Sequence, residues 1–103
     1  MQLTLQYFDG CQGWTVARDR LVVALDRVGL GAEAIAYEKV ESLADARRLA
    51  FTGSPTILVN GTDPFAPPDA VAALACRVYQ NAAGPDQAPS VEQLVDALTR
   101  GRG

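Results

Sequence analysis

The stretch Leu3-Thr4-Leu5-Gln6-Tyr7-Phe8-Asp9-Gly10-Cys11-Gln12-Gly13-Trp14 carries a cysteine from a strand pattern straight into a helix start. Leu3, Leu5 and Tyr7 alternate with Thr4, Gln6 and Phe8, and the run turns almost wholly apolar toward its end, as a mostly buried strand would. Asp9-Gly10 breaks it. From Trp14 the period becomes helical: Trp14, Ala17, Leu21, Leu25 and Val28 share one face, and Arg18, Arg20, Asp26 and Arg27 fall elsewhere. Cys11 is therefore expected at or just before the first helical turn. Unsatisfied backbone N–H groups and the positive end of the helix dipole favour a thiolate there, and the thiolate is the reactive form.

The composition bounds what surrounds this stretch. A chain of 103 residues with 49% hydrophobic content is one domain, residues 1–103, around one core. The net charge of −3, with no Lys or Arg cluster, argues against nucleic acid or an anionic membrane as partner. No apolar run approaches the roughly 20 residues that span a bilayer, and no charged segment followed by an apolar signal core opens the chain. A monomer in the cytoplasm is the expectation. There a reducing environment would keep the two cysteines, Cys11 and Cys76, as thiols at rest. The absence of histidine removes the commonest general base and the commonest zinc ligand, so no metal site and no cofactor are expected. Arg outnumbers Lys and Ala is abundant, as in a high-GC bacterial genome.

Working outward, Gly29 and Gly31 punctuate the end of the first helix. Ala34 to Val40 reads as a strand near the sheet edge because it carries Glu38 and Lys39. Its connection to the first strand should be right-handed and parallel. Ser42 as N-cap opens a second helix over Leu43 to Phe51, which Gly53 closes. Pro55 cannot continue that helix, and Thr56 to Asn60 is a β-branched, apolar strand ending in the turn Asn60-Gly61. Thr62 to Ala73, with Asp-Pro and Pro-Pro, reads as a loop containing a helical turn from Asp69, and Leu74 to Tyr79 as the return strand. Gln80 to Pro89 reads as a polar loop. Ser90 with Gln93 forms a capping box ahead of a last helix bearing Val91, Leu94, Val95 and Leu98, and Gly101-Arg102-Gly103 is a frayed tail.

This order, with a helix-initiating Cys11 and with Gly53-Ser54-Pro55-Thr56 opening an apolar strand, resembles the thioredoxin superfamily over essentially the whole chain. The resemblance implies an α/β thioredoxin-like fold, β-α-β-α-β-β-α. Its four-stranded mixed sheet, in the order second, first, third, fourth strand, would be flanked by helices. It further implies a cis Ser54-Pro55 bond, Cys11 in the part of the N-terminal active-site cysteine, and Ser54, Pro55 and Thr56 as the loop whose backbone pairs with a thiol substrate. The departure is that Cys-x-x-Cys is here Cys11-Gln12-Gly13-Trp14, which forms no vicinal dithiol. Such a motif suits a one-cysteine enzyme that forms mixed disulfides resolved by a second thiol. It equally suits a relative that has lost the chemistry.

The other residues have plainer roles beside the functional ones. Trp14 packs in the core or rims the site, where it would stack on a substrate. Asp9 would raise the Cys11 pKa if it faced the thiol, but helix capping is its first reading. If Thr56 to Asn60 pairs antiparallel with Ala75 to Tyr79, Cys76 lies opposite Val59, about 10 Å from the Pro55 end. A disulfide needs Cα atoms within about 7 Å. Cys76 is thus expected to be a buried structural thiol that forms no bond to Cys11, although a register shift of two or three residues would bring it to the site.

Three functions follow. The first is a thiol-dependent oxidoreductase, with Cys11 as nucleophile, Trp14, Ser54, Pro55 and Thr56 on the substrate side, and a protein disulfide or a low-molecular-weight thiol as partner. The second is a non-catalytic module that holds an extended peptide beside Pro55. The third, resting on the resemblance, is soft-metal or organomercurial handling by the two thiols.

Overall fold

The computed structural model describes residues 1–67 and 69–102. Its elements are β1 (Leu3–Tyr7), α1 (Gly13–Arg27), β2 (Ile35–Lys39), α2 (Leu43–Arg48), β3 (Thr56–Val59), β4 (Tyr79–Asn81), β5 (Gly84–Asp86) and α3 (Val91–Gly101). Mixed α/β architecture is thus present, and β1 sits between its partners. It pairs parallel with β2, Leu5 beside Tyr37, and antiparallel with β3, Leu5 beside Ile57. The Ser54-Pro55 bond is cis, as the resemblance implied.

The period-2 alternation sends Leu3 and Leu5 of β1, with Ile57 and Val59 of β3, into one cluster with Ala17, Leu21, Ala24 and Leu25 of α1 and Leu94 and Leu98 of α3. Tyr7 continues that face and stacks on Trp14, ring centroids 4.4 Å apart. Phe8, one residue on, belongs to a second cluster with Val40, Ala46 and Phe51. Leu58 is only partly buried, because Ile57 and Val59 take the core face of β3.

The ends of the elements follow from local chemistry. Gly29, at φ 76°, ends α1 while the Leu30 N–H donates to the Leu25 carbonyl at 2.8 Å and the Gly29 N–H to that of Asp26 at 3.2 Å, a Schellman closure. The same closure ends α2 at Arg48, earlier than expected. Ala50 takes the left-handed position at φ 53° and the Phe51 N–H reaches the Ala46 carbonyl at 2.8 Å, so Gly53 is free for another use. Ser42 caps α2 through Asp45 N–H, and Ser90 with Gln93 forms the expected capping box on α3. Helix α3 extends through Gly101; Gly103 and Pro68 lie outside the described residues.

The expected fourth sheet strand does not form. Asn60 and Gly61, at φ 53° and 81°, turn the chain tightly, and Val59 and Thr62 exchange hydrogen bonds at 2.8 and 3.1 Å. Pairing stops after that one residue, since Pro64 and Pro67 have no N–H to donate. Described residues between Thr62 and Val78 contain neither helix nor named strand. The segment expected as the return strand yields only Tyr79 to β4, and the expected polar loop is a hairpin: β4 and β5 pair antiparallel, Gln80 beside Pro85, as a separate two-stranded sheet. Among the described residues no helix is long and apolar enough to cross a membrane.

Candidate functional site

The site forms where three loops meet at the head of α1. Cys11 closes a turn, its N–H donating to the Phe8 carbonyl at 3.0 Å, and lies one residue before Gln12, the N-cap of α1. Gln12 makes no side-chain cap and the first turn of α1 holds no acidic residue, so no carboxylate there competes for its free N–H groups. Asp9 is not the cap that the sequence suggested. It pairs with the Lys39 ammonium at 2.6 Å, and that hydrogen bond raises the Lys39 pKa.

Ser54 joins this turn to the second cysteine. Its hydroxyl accepts from the Phe8 N–H at 3.0 Å. Its N–H donates to the Ala75 carbonyl at 2.8 Å and its carbonyl accepts from the Arg77 N–H at 2.9 Å, a parallel bridge that brackets Cys76. The approach needs Gly53, at φ 127°: a Cβ there would sit 2.9 Å from the Arg77 Cβ. Cys76 is thus held beside Cys11, and the two form a disulfide with Cα atoms 5.5 Å apart. This corrects the expected isolation of Cys76 and the expected pair of resting thiols. The expectation assumed that residues 75 to 79 pair with β3, whereas Ala75 to Arg77 run alongside the loop before it and Tyr79 pairs with β5. Cys76 is also exposed, not buried, whereas Cys11 is 4% exposed.

Arg77 locks the arrangement. Its guanidinium, on a side chain only 7% exposed, meets the Asp63 carboxylate at 2.7 Å and donates to the Phe65 carbonyl at 2.6 Å and to the hydroxyls of Thr52 and Thr56 at 3.4 Å. It lies over the Tyr79 ring, 4.6 Å from its centroid. The Tyr79 hydroxyl donates to the Pro55 carbonyl, and burial pushes the phenol pKa well up. The sequence reading passed over Asp63, Arg77 and Tyr79. The available signal was an arginine inside the apolar run Ala-Leu-Ala-Cys-Arg-Val-Tyr, since a buried arginine needs a carboxylate partner.

The fourth wall is the segment after β5. Arg20 of α1 holds Asp86 at 3.0 Å and donates to the Ala88 and Pro89 carbonyls at 3.2 Å. That hydrogen bond, followed by one from the Gln87 N–H, lowers the Asp86 pKa. A Cβ on Gly13 would sit 2.8 Å from the Gln87 carbonyl oxygen, so the helix head and this segment are in close contact. Cys76, Val78, Pro85 and Gln87 line an open groove on the outer side of the disulfide.

The residues expected to receive a substrate are therefore placed as follows. Ser54 seats against the Cys11 turn through Phe8, but Ser54, Pro55 and Thr56 are all buried and are engaged by the chain's own Cys76, Tyr79 and Arg77 respectively. The Thr56 hydroxyl donates to the Gly53 carbonyl at 2.7 Å. Trp14 lies between Tyr7 and Arg18, whose guanidinium carbon is 5.4 Å from the indole centroid. Among the described residues no group of three or more potential metal ligands is gathered.

Comparison with protein-family models, curated proteins and solved structures finds no match for this chain.

Proposed function

We propose that this protein is a thioredoxin-like thiol–disulfide oxidoreductase whose redox pair is Cys11 and Cys76. The observation that carries the reading is the Cys11–Cys76 bond itself, which joins the head of α1 to an exposed residue on a separately braced loop. The sheet order β2-β1-β3 and the seating of Ser54 against the Cys11 turn support the thioredoxin-like framework.

In the reaction, two external thiols join in one disulfide and give up two electrons and two protons. The Cys11–Cys76 bond accepts them and becomes two thiols; the reverse reaction reduces an external disulfide. The helix head favours the Cys11 thiolate over its thiol. A second thiol within the chain replaces the external resolving thiol that a one-cysteine mechanism would require. A bond that cycles in this way suits a reducing cytoplasm, where disulfides are transient and catalytic.

The peptide-binding alternative is less well supported, because residues 75 to 77 already fill the backbone positions beside Ser54. Soft-metal handling by the thiols would first require the bond to be reduced. The test is the reduction of insulin disulfides by dithiothreitol. Wild-type protein should accelerate it, and Cys11→Ser and Cys76→Ser should each lose most of the acceleration. Equal rates with wild type, either variant and no protein would refute the proposal.

A further inference from the structure

We infer that Cys76, not Cys11, is the sulfur that an external thiol attacks, and that Cys11 is the leaving and resolving thiol. This inference rests on the oxidoreductase reading above and assigns the two roles within it.

Access gives the first reason. Displacement at sulfur proceeds from the side opposite the bond that breaks, and its rate depends on which sulfur can be reached. Cys11 is 4% exposed, whereas Cys76 is exposed and lines the groove formed with Val78, Pro85 and Gln87. The Ser54 loop, which seats against the Cys11 turn through Phe8, is itself fully engaged. The Ser54 N–H and carbonyl are engaged by Ala75 and Arg77 at 2.8 and 2.9 Å, and Arg77 is fixed by Asp63, Phe65, Thr52 and Thr56.

The leaving group gives the second. The better leaving thiolate is the one more stabilised as an anion. Cys11 lies at the head of a 15-residue helix with no side-chain cap and no acid in its first turn. Negative charge released on Cys11 is therefore favoured by the positive end of the helix dipole, with no carboxylate in the first turn to oppose it. Cys76 has no helix terminus of its own: it is held in a bridge to Ser54, whose backbone bonds Ala75 and Arg77 on either side of it.

The step balances as follows. An external thiolate forms a bond to Cys76 Sγ, and the Cys11–Cys76 bond breaks with its electron pair passing to Cys11 Sγ. A second low-molecular-weight thiolate attacks the external sulfur of this mixed disulfide and expels Cys76 as thiolate. One external disulfide is formed, and the two protein thiolates take up the protons that the two external thiols gave up. In the opposite direction the Cys76 thiolate attacks an external disulfide and Cys11 resolves the mixed species.

The experiment mixes oxidised wild-type protein with limiting glutathione, quenches with acid on the millisecond scale and maps the adduct by peptide mass. Glutathione should be found on Cys76 at least about tenfold more often than on Cys11. In parallel, reduced Cys11→Ser and Cys76→Ser proteins, each checked for folding by circular dichroism, are exposed to glutathione disulfide. Cys76 in the first should react at least about tenfold faster than Cys11 in the second, because access to the exposed sulfur outweighs the larger thiolate fraction at Cys11. Adducts mainly on Cys11, with the bond opening normally, would overturn this assignment and leave the oxidoreductase reading standing. A native bond that no thiol opens would overturn both.

Discussion

Ser54 and Cys76 lie side by side in a parallel bridge, the two hydrogen bonds of Ser54's backbone falling on the residues either side of Cys76. The Ser54 hydroxyl accepts from Phe8, three residues before Cys11, so one buried serine sets the spacing of both cysteines. Ser54→Ala keeps the backbone pairing but leaves the Phe8 N–H without its acceptor. It should cost about 1–3 kcal/mol in urea unfolding of the oxidised protein. Wild-type stability would show that the hydroxyl is dispensable.

Arg77 and Asp63 form an ion pair with side chains 7% and 12% exposed, where removing one partner strands the other charge. Arg77→Met should destabilise by about 3–5 kcal/mol, and Asp63→Leu added to it should recover much of the loss. A double-mutant cycle by chemical denaturation measures this. Additive losses would mean that the two side chains do not interact in solution.

Core substitutions separate the faces of β3. Leu5→Ala and Leu25→Ala empty sites in the main cluster and should each cost about 2–5 kcal/mol. Leu58→Ala should cost less than either, since Leu58 is only partly buried and Ile57 holds the core position. Thermal denaturation of the three variants gives the ranking, and a Leu58 loss equal to that of Leu5 would place the core on the wrong face.

Acid should loosen the wall beside the disulfide. Arg20 lowers the Asp86 pKa below its ordinary value of 3.8, so the unfolded chain binds this proton more readily than the folded one. The stability that the pair contributes is complete above the unfolded value and is lost as pH falls through the folded one. Wild-type unfolding free energy should therefore fall with acid more steeply than that of Asp86→Asn. Parallel curves would remove Asp86 from this account.

The sequence was most informative where periodicity and capping decide structure locally. The Leu3, Leu5 alternation, the Ala17, Leu21, Leu25 face and the Ser90–Gln93 capping box all appear as read. What it obscured depended on long-range pairing. Leu74 to Tyr79 has the apolar content of a strand, but the prolines after Asn60-Gly61 end the return ladder at Thr62 and free the chain to reach Ser54. Cys76 reaches Cys11 for that reason. For the Asp63–Arg77 pair, the apolar run around Arg77 signals that a carboxylate partner is needed, but nothing local to Arg77 names one 14 residues away.

The central claim is that Cys11 and Cys76 form a reversible redox pair within one chain. The direct measurement is mass spectrometry with peptide mapping of the protein equilibrated across a series of glutathione redox buffers. A monomer should lose the mass of two hydrogens as the buffer becomes oxidising, with the Cys11 and Cys76 peptides linked, and regain it as the buffer becomes reducing. Two unlinked thiols in every buffer, or glutathione adducts and chain-to-chain dimers in place of the intrachain bond, would contradict it.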